Sequence, residues 1–521
     1  MMRIERIFVA IAISAGFAVG CSSAPDPPPE DAPPAPLPEF EDEAEDEVHA
    51  GEEFRPNIPE YRELSLRDDE PEVVDGQTVD DISSFYVGDL KVIHMPTPAN
   101  EVVAVRLFFA GGSAMLDDTT AGIERLALSV ATNGGTESTP RDEFNARLDA
   151  VGSSVSFFAG RDFTGYSMRS VREHFDDTWE LFVESVFEPA LPADELEIQR
   201  DRQLANIRSI VDNPDRLVNE VTRDLTFADH PYQVRELGTE QTVSQFTTDH
   251  LRAWQRSMLA PERMLLVVVG NVDREDVEER VRASLGRVQP AGIEVPELPG
   301  ISPDAAALRV ENMDLPTNYI LGYYDAPARG HEDYAALTLA KRHLRNRLFE
   351  EVRTKRNLTY AVSSGLGDRA DNVGFLYVTA VDPEATIPVI MTEVERLQNE
   401  PIDETDLEEV RNVFLTSHYQ DLETNARIAG QLARAQLFTG DWTTSQTFLD
   451  QIMAVTTEDL QRVAQQYLHT FQFGVVGNPD DVPPQLFGID TDDAETVDEF
   501  EDIDPADIEE AQQPEPEAPT M

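Results

Sequence analysis

Two hydrophobic patterns alternate along residues 60–479. Short runs rich in β-branched and aromatic residues predict strands, whereas apolar residues repeating every three or four positions predict amphipathic helices. The predicted strands are Lys91–Met95, Val102–Ala110, Ser153–Ala159, Met264–Val269, Tyr319–Tyr324 and Gly374–Ala380. The predicted helices are Ala121–Asn133, Arg141–Val151, Asp176–Val186, Ala193–Asp212, Glu275–Leu285, Tyr334–Leu348, Ala385–Asn399, Glu404–Phe414 and Thr424–Thr439. This mixture predicts an α+β fold.

A short internal repeat indicates that the pattern occurs twice. The tetrapeptide Val-Val-Gly-Asn at 268–271 recurs at 475–478, and each copy ends a strand-like run that follows a long helical stretch. A Pro-rich linker, 290–303, separates the two units. We therefore predict two tandem homologous domains, residues 80–289 and 304–479, each of an ordinary domain size.

The segments outside these domains differ in composition. Residues 1–20 carry two arginines and then an apolar run too short to span a bilayer, which is typical of a signal peptide. Residues 21–79 are rich in proline and acidic residues and predict an extended tether. Residues 480–521 contain sixteen acidic residues and neither Lys nor Arg, so we expect a disordered acidic tail.

Charge and cysteine content exclude several classes of function. The 521 residues include 100 Asp and Glu against 41 Lys and Arg, a net charge of −59. Such a chain repels phosphate backbones, so nucleic-acid binding is not expected. Cys21 is the one cysteine, which excludes an intrachain disulfide and a cysteine-based zinc cluster.

The sequence around Cys21 resembles a bacterial lipoprotein signal, in which a small residue precedes a lipidated cysteine. The resemblance implies a lipid-anchored protein of the cell envelope, and the two serines after Cys21 favour the outer membrane, facing the periplasm. The alternative is an ordinary cleaved signal with a chance cysteine.

Several motifs along the chain, in their order and spacing, resemble the M16 metallopeptidases, the family of insulinase and mitochondrial processing peptidase. The motifs are Phe108–Ser113, Ala121–Ile123, Asn133–Thr136, His230–Tyr232, Leu237–Thr239, Gly270–Asp273 and Arg353–Tyr360. The resemblance implies two M16-type domains, each an antiparallel-rich sheet packed by helices.

M16 enzymes carry His-x-x-Glu-His on the helix that begins at the Ala121–Ile123 motif. The two histidines bind zinc, the Glu between them is the general base, and a Glu on a later helix is the third ligand. Aligned on the helix start, these positions are Arg125, Leu128, Ser129 and Asn206 here, and Gln199 falls where a supporting Glu often lies. A guanidinium repels zinc, Leu has no lone pair, and a hydroxyl and a carboxamide are weak ligands. We therefore expect no catalytic zinc and no activity of the chain alone.

No other catalytic site is evident in the sequence. The nine histidines include no pair three or four residues apart, and Ala335 stands where a second histidine would have to follow His331-Glu332. The sequence has no Gly-x-Ser-x-Gly motif, and Cys21 belongs to the leader.

Two other features are retained. Arg353 and Tyr360 match the Arg and Tyr with which M16 enzymes hold substrate, since Arg can bind a peptide carbonyl and Tyr can donate to an oxyanion. Without the resemblance, they would be a solvated helix-end cation and a core aromatic. The strand Ser153–Ala159, with Ser156-Phe157, resembles the edge strand to which M16 substrates add, although an ordinary half-buried strand fits equally.

Some bacterial M16 proteins divide the work between a zinc-bearing chain and a chain that keeps the Arg and Tyr. We predict that this protein is the second kind, pairs with a zinc-bearing M16 partner, encloses a peptide and contributes Arg353 and Tyr360. A non-enzymatic scaffold or peptide-binding lipoprotein, which could self-dimerise, is the alternative. An active zinc peptidase with unrecognised ligands is the third hypothesis.

Overall fold

The protein contains two sheets, and the computed structural model describes residues 54–490 and 494–497. The first sheet contains β1 (Val73–Val79), β2 (Ile82–Val87), β3 (Leu90–Pro96), β4 (Val102–Ala110), β5 (Ser154–Phe158), β6 (Phe163–Val171) and β7 (Met264–Gly270). Their order across the sheet is β1-β2-β3-β7-β4-β6-β5. The β3–β7 pair is parallel, and the other neighbours are antiparallel.

The second sheet repeats the plan of the first. It contains β8 (Ala307–Asn312), β9 (Asn318–Ala326), β10 (Val362–Leu366), β11 (Asn372–Ala380), β12 (Gln472–Gly477) and β13 (Ala494–Val497). Their order is β10-β11-β9-β12-β8-β13, with β8 and β12 parallel. Strands β8 to β12 thus match β3 to β7 in chain order and in pairing, and the Val-Val-Gly-Asn repeat ends β7 and β12. The α+β fold of two homologous domains is confirmed.

The helices also fall into two sets. The first domain contains α1 (Ile123–Asn133), α2 (Arg141–Ala150), α3 (Phe175–Phe187), α4 (Ala193–Arg208), α5 (Pro214–Thr226), α6 (Glu240–Gln245), α7 (Thr248–Met258) and α8 (Arg274–Ala283). The second contains α9 (Tyr334–Leu348), α10 (Pro383–Asn399), α11 (Glu404–Asp421), α12 (Asn425–Thr439), α13 (Thr444–Ala454) and α14 (Thr457–Tyr467). Helices α6, α7 and α14 begin with reciprocal capping boxes, which satisfy amide groups at the first turn.

The domains exchange one helix each across their sheets. Alternate residues of β7 point to opposite faces, so Leu266 and Val268 lie in the core formed with the first domain's own helices. Val267 and Val269 instead pack against α12 of the second domain. In the converse contact, α5 of the first domain packs on β9 and β12. Each sheet is therefore covered on both faces, once by its own domain and once by the other.

Close approach of α5 to the second sheet depends on a glycine. A Cβ at Gly474 in β12 would lie 2.2 Å from Thr222 Oγ1 and 2.7 Å from the Thr222 amide nitrogen. The Thr222 hydroxyl donates to the carbonyl of Val218. Glycine at this position lets the helix backbone rest directly on the strand.

The ends of the folded region extend further than predicted. Strand β1, within the predicted tether 21–79, pairs with β2, and Ile58 packs against the first core. Within the predicted disordered tail, β13 pairs with β8, and Phe487 is buried in the second core. Both strands pair through their main chains, and Val73 of β1 and Ala494 of β13 also pack against the two cores.

Cys21 and the predicted signal 1–20 lie outside the described residues. In the part of the chain that the structure describes, no helix has the length and hydropathy required of a membrane-spanning segment.

Candidate functional site

The positions aligned with the M16 zinc site lie on two neighbouring helices, α1 and α4. Gly122 precedes α1 with φ 86°, and a Cβ there would lie 2.5 Å from the Leu237 carbonyl oxygen. Buried Gln203 of α4 donates to the carbonyls of Gly122 and Leu237 at 3.0 and 2.8 Å. The start of α1 is thereby held against both α4 and the loop at Leu237.

On α1, each of the three aligned side chains makes contacts unlike those of a metal site. Leu128, at the position of the general base, is fully buried in the first core. Arg125 is half-buried, and its Cζ lies 5.8 Å from the ring centre of Phe157 on β5. Ser129 donates its hydroxyl hydrogen to Oε1 of Gln199 on α4 at 2.7 Å.

That hydrogen bond begins a polar chain across the helices. Nε2 of Gln199 donates to Oε1 of Glu195 at 2.6 Å, and Oε2 of Glu195 accepts from Arg141 at 2.8 Å. Both ends of the Gln199 amide are therefore engaged. Gln199 and Glu195 are buried, so the chain satisfies groups that would otherwise be costly to bury.

Asn206, at the third-ligand position, is exposed and lies two helical turns beyond Gln199 on α4. This separation is about 10 Å along the helix axis, since each residue adds roughly 1.5 Å. The four aligned side chains do not fit a zinc site. Arg125 is a cation, Leu128 has no donor atom, the Ser129 hydroxyl is already hydrogen-bonded, and Asn206 is an exposed carboxamide. Among residues 54–490 and 494–497, no group of three or more His, Cys, Asp or Glu is arranged to hold a metal.

Arg353 and Tyr360 lie together in the second domain. The chain leaves α9 through a π-helical turn, Phe349–Thr354, a rare geometry that is frequent at functional sites. The Arg353 guanidinium lies near two rings, with its Cζ 4.9 Å from the ring centre of Phe349 and 5.0 Å from that of Tyr360. We call these three residues the aromatic–arginine stack.

The stack is open to solvent. Tyr360 is 83% exposed and Phe349 is 47% exposed. The interpretation of Tyr360 as a core aromatic is therefore wrong. Strand β10 begins at Val362, which leaves Tyr360 outside the strand. Phe349 was not anticipated, although its i, i+4 spacing to Arg353 places the two side chains on one helix face.

The carboxylate of Glu351, close to Arg353 in sequence, is paired with other cations, which leaves the Arg353 guanidinium available to bind a ligand. Glu351 pairs with Arg347, Lys355 and Arg356 at 3.1, 2.7 and 2.7 Å. Hydrogen bonds from Lys355 and Arg356 lower the pKa of Glu351 to about 2. Within the described part of the chain, no carboxylate forms a salt bridge with Arg353, so its donors can reach a ligand.

The strand resembling a substrate-binding edge does lie at an edge. β5 is the last strand of its sheet and pairs with β6 alone among the described residues. None of its five residues is fully buried, and Ser156 is exposed. The outer main-chain groups of β5 can therefore pair with an added strand.

The His230-Pro231-Tyr232 motif connects the two domains. His230 Nε2 lies 2.8 Å from Oδ2 of Asp371 in the second domain, and the Tyr232 hydroxyl donates to Asp162. The amide of Asp371 in turn donates to the Tyr232 oxygen at 3.2 Å. These contacts agree with the interpretation of the motif as a structural loop.

Comparisons with protein families agree with the topology. The model described as Insulinase (Peptidase family M16) matches residues 91–240, and the model described as Peptidase M16 inactive domain matches residues 245–414. An uncharacterized zinc protease of Mycobacterium leprae is 26% identical over 392 residues, covering 73% of this chain and 88% of that protein.

More distant similarities reach proteins of different names. The mitochondrial cytochrome b-c1 complex subunit 1 of Caenorhabditis elegans is 19% identical over 352 residues, 64% of this chain and 74% of that protein. A crystal structure of a peptidase M16 inactive domain from Pseudomonas fluorescens superposes with a TM-score of 0.71 at 20% identity. It covers 77% of this chain and 98% of that chain, a likeness of fold.

Proposed function

The chain belongs to peptidase family M16, and we propose that it is a zinc-free subunit that pairs with a zinc-bearing M16 partner in peptide hydrolysis. The observation that carries the proposal is a contrast between two regions. The four aligned ligand and base positions are unsuited to zinc, whereas the aromatic–arginine stack places the exposed Tyr360 beside a half-buried Arg353 that has no carboxylate partner among the described residues.

In this proposal, the stack binds the substrate while the bond is broken at the partner's site. Arg353 donates to a peptide carbonyl, and stacking on Phe349 and Tyr360 limits the orientations that its planar guanidinium can adopt. The Tyr360 hydroxyl donates to the oxygen that becomes negative in the transition state. The outer edge of β5 would hold an extended peptide by main-chain pairing.

The test is peptide cleavage by the reconstituted pair. The chain is co-expressed with a zinc-bearing M16 subunit from a neighbouring gene, and kcat/KM is measured for the pair and for each subunit. Activity well above that of either subunit alone is expected. Tyr360→Phe should lower kcat/KM about 100-fold, the typical effect of losing one oxyanion donor, and Arg353→Ala should lower it at least about tenfold.

Matched controls are exposed residues elsewhere in the second domain. Arg396 pairs with Glu400 on the surface of α10, and Tyr419 is exposed on α11. Arg396→Ala and Tyr419→Phe should leave kcat/KM unchanged. If Arg353→Ala and Tyr360→Phe behave like these controls, the claim of catalytic assistance fails.

We also propose that Cys21 carries a lipid anchor that holds the protein at the outer membrane, facing the periplasm. The support is the resemblance of residues 18–21 to a lipoprotein signal. Cys21→Ser should move the protein from the membrane fraction to the soluble fraction and abolish incorporation of labelled fatty acid. Membrane association that persists without label would contradict the anchor.

A non-enzymatic scaffold is the second candidate. The similarity to a protein named as a cytochrome b-c1 complex subunit favours this candidate. That name describes a subunit of a complex and not a peptidase. Isolation from its native host as a stable homodimer, with no M16 partner, would support the scaffold and oppose the paired peptidase. Light scattering and mass spectrometry of the native complex distinguish the two.

A further inference from the structure

A second candidate site lies in a cavity of about 480 Å³ in the second domain. Helices α9, α11 and α12 form its walls, and Arg106 of β4 reaches it from the first domain. This volume is within the range of small-molecule sites, which is roughly 300–1,000 Å³. The cavity is separate from the aromatic–arginine stack, none of whose residues lines it.

The cavity is cationic in a protein of net charge −59. Its six arginine and lysine residues are Arg106, Arg329, Lys341, Arg342, Arg427 and Arg434, and His418 also lines it. Its two carboxylates are already paired. Asp368 lies 3.0 Å from both Arg329 and Arg434, and Asp421 lies 3.2 Å from Arg427.

Three cations remain without a carboxylate partner in the described part of the chain: Arg106, Lys341 and Arg342. Nε of Arg106 and Nη1 of Arg342 are buried and have no hydrogen-bond acceptor there. Burial, with Arg342 and Arg345 nearby, lowers the pKa of Lys341 to about 8. Burial and the neighbouring Arg434 also lower the pKa of Arg106. The two carboxylates of the cavity therefore offset only part of the charge of its arginines and lysines, and positive charge remains in excess.

The place of this cavity in the fold has a counterpart in the first domain. Helices α9 and α11 occupy the topological positions of α1 and α4. Thr338, Lys341 and Arg342 on α9 have the same i, i+3, i+4 spacing as the two aligned ligand positions and the base position on α1. In both helices Leu-Ala follows the first residue of the three. The first domain fills this place with Leu128 and a hydrogen-bond chain, whereas the second leaves it open.

We propose that this cavity binds a small multivalent anion bearing phosphate or carboxylate groups. Arg106 and Arg342 offer guanidinium forks suited to oxyanions, and Lys341 adds a compact charge. The Ser417 and Thr338 hydroxyls can complete the coordination, and Ser417 already accepts from Arg342 at 3.3 Å. Because the volume suits a small molecule, a free anion is favoured over an acidic peptide. The proposal does not depend on the pairing proposed above.

The test is calorimetric titration of the full-length chain at low salt with inorganic phosphate, pyrophosphate and citrate. At least one should bind with a stoichiometry near one. Preference for pyrophosphate would indicate a phosphorylated ligand, and preference for citrate a carboxylate, and either outcome supports the site. The Lys341→Gln/Arg342→Gln double variant should bind at least tenfold more weakly.

Two further variants guard against loss of folding or a non-specific effect. Arg106→Gln, which approaches from the other domain, should also weaken binding at least threefold. Arg252→Gln is the control, since Arg252 pairs with Asp249 on the exposed surface of α7. Equal weakening by Arg252→Gln would overturn the proposal. So would absence of binding by all three anions, or binding of an oligoglutamate peptide alone.

Discussion

The same pair of helices occurs once in each domain, and the two pairs have opposite chemistry. Helices α1 and α4 are joined by the Ser129–Gln199 hydrogen bond, and Leu128 between them belongs to the core. Helices α9 and α11 instead border a cavity with unpaired cations, and α9 leads directly into the aromatic–arginine stack. The strand plan common to both domains has thus been kept while the polar groups differ. In such a duplicated fold, the apolar packing that fixes the positions of the helices does not determine which polar side chains they carry.

The largest effect is expected from restoring a carboxylate at the general-base position. Leu128→Glu places a charge among fully buried apolar side chains, one turn from buried Glu124, and should cost at least about 3 kcal/mol in the free energy of unfolding. Urea denaturation measures this cost. Lys341→Glu, at the corresponding spacing on α9, lies among cations and should cost less than about 1 kcal/mol. Similar losses for both would show that the two places are equally closed.

The second prediction concerns pH and Glu124. Burial raises the pKa of Glu124 to about 8, and its Oε1 has no hydrogen-bond partner among the described residues. Because the folded-state pKa lies above the unfolded value near 4.5, the folded state binds more protons between these limits. This contribution is fully present below about pH 4.5 and is lost as the pH rises through about 8.

Glu124→Gln should therefore stabilise the protein relative to the natural chain by on the order of 3 kcal/mol at pH 8.5, and by little at pH 5. The difference between the two unfolding curves removes the contribution of the other acidic residues. A difference independent of pH would mean that Glu124 is not protonated in the folded state. Arg263, which opposes the rise in the pKa of Glu124, should be left intact.

The sequence predicted several elements with a strong apolar pattern, but it missed the mostly buried strand β2 and the amphipathic helices α5, α7 and α14. Strand β4 and helix α9 have the predicted bounds, because both bury most of their residues. Strands β1 and β13 were missed because each lies at a sheet edge and is largely polar. The exchange of α5 and α12 was also not predictable. An amphipathic pattern shows that a helix buries one face but does not identify the sheet that covers it.

The site depended even more on tertiary packing. The substitutions at Arg125, Leu128, Ser129 and Asn206 are evident from the sequence, given the family resemblance. The hydrogen bond from Ser129 to Gln199 joins residues 70 positions apart and follows from the packing of α1 on α4. The cationic cavity joins residues of both domains, and no local spacing indicates that their charges converge.

A smaller effect is expected from breaking the polar chain of the first domain. Ser129→Ala removes the hydrogen bond to the buried Gln199 carbonyl oxygen and should cost about 1 kcal/mol. The adjacent Gln199–Glu195 hydrogen bond would remain, so the helix pair should stay in place. Urea denaturation gives the loss, and cleavage by the reconstituted pair should be unchanged. A large loss of activity would indicate that Ser129 itself takes part in catalysis.

The smallest effect is expected from substitution of Asn206. If the protein were an active zinc peptidase with unrecognised ligands, Asn206 would occupy the third-ligand position, and its loss should release the metal. The purified chain, equilibrated with zinc and then desalted, should retain well under one zinc per chain by elemental analysis. Asn206→Ala should leave both that content and the melting temperature unchanged, because the side chain is exposed. Ser257→Ala on α7 serves as a control for substitution of a polar residue. Stoichiometric zinc in the natural chain that is lost in Asn206→Ala, but kept in the control, would restore a metal site to the first domain and remove the contrast between the two helix pairs.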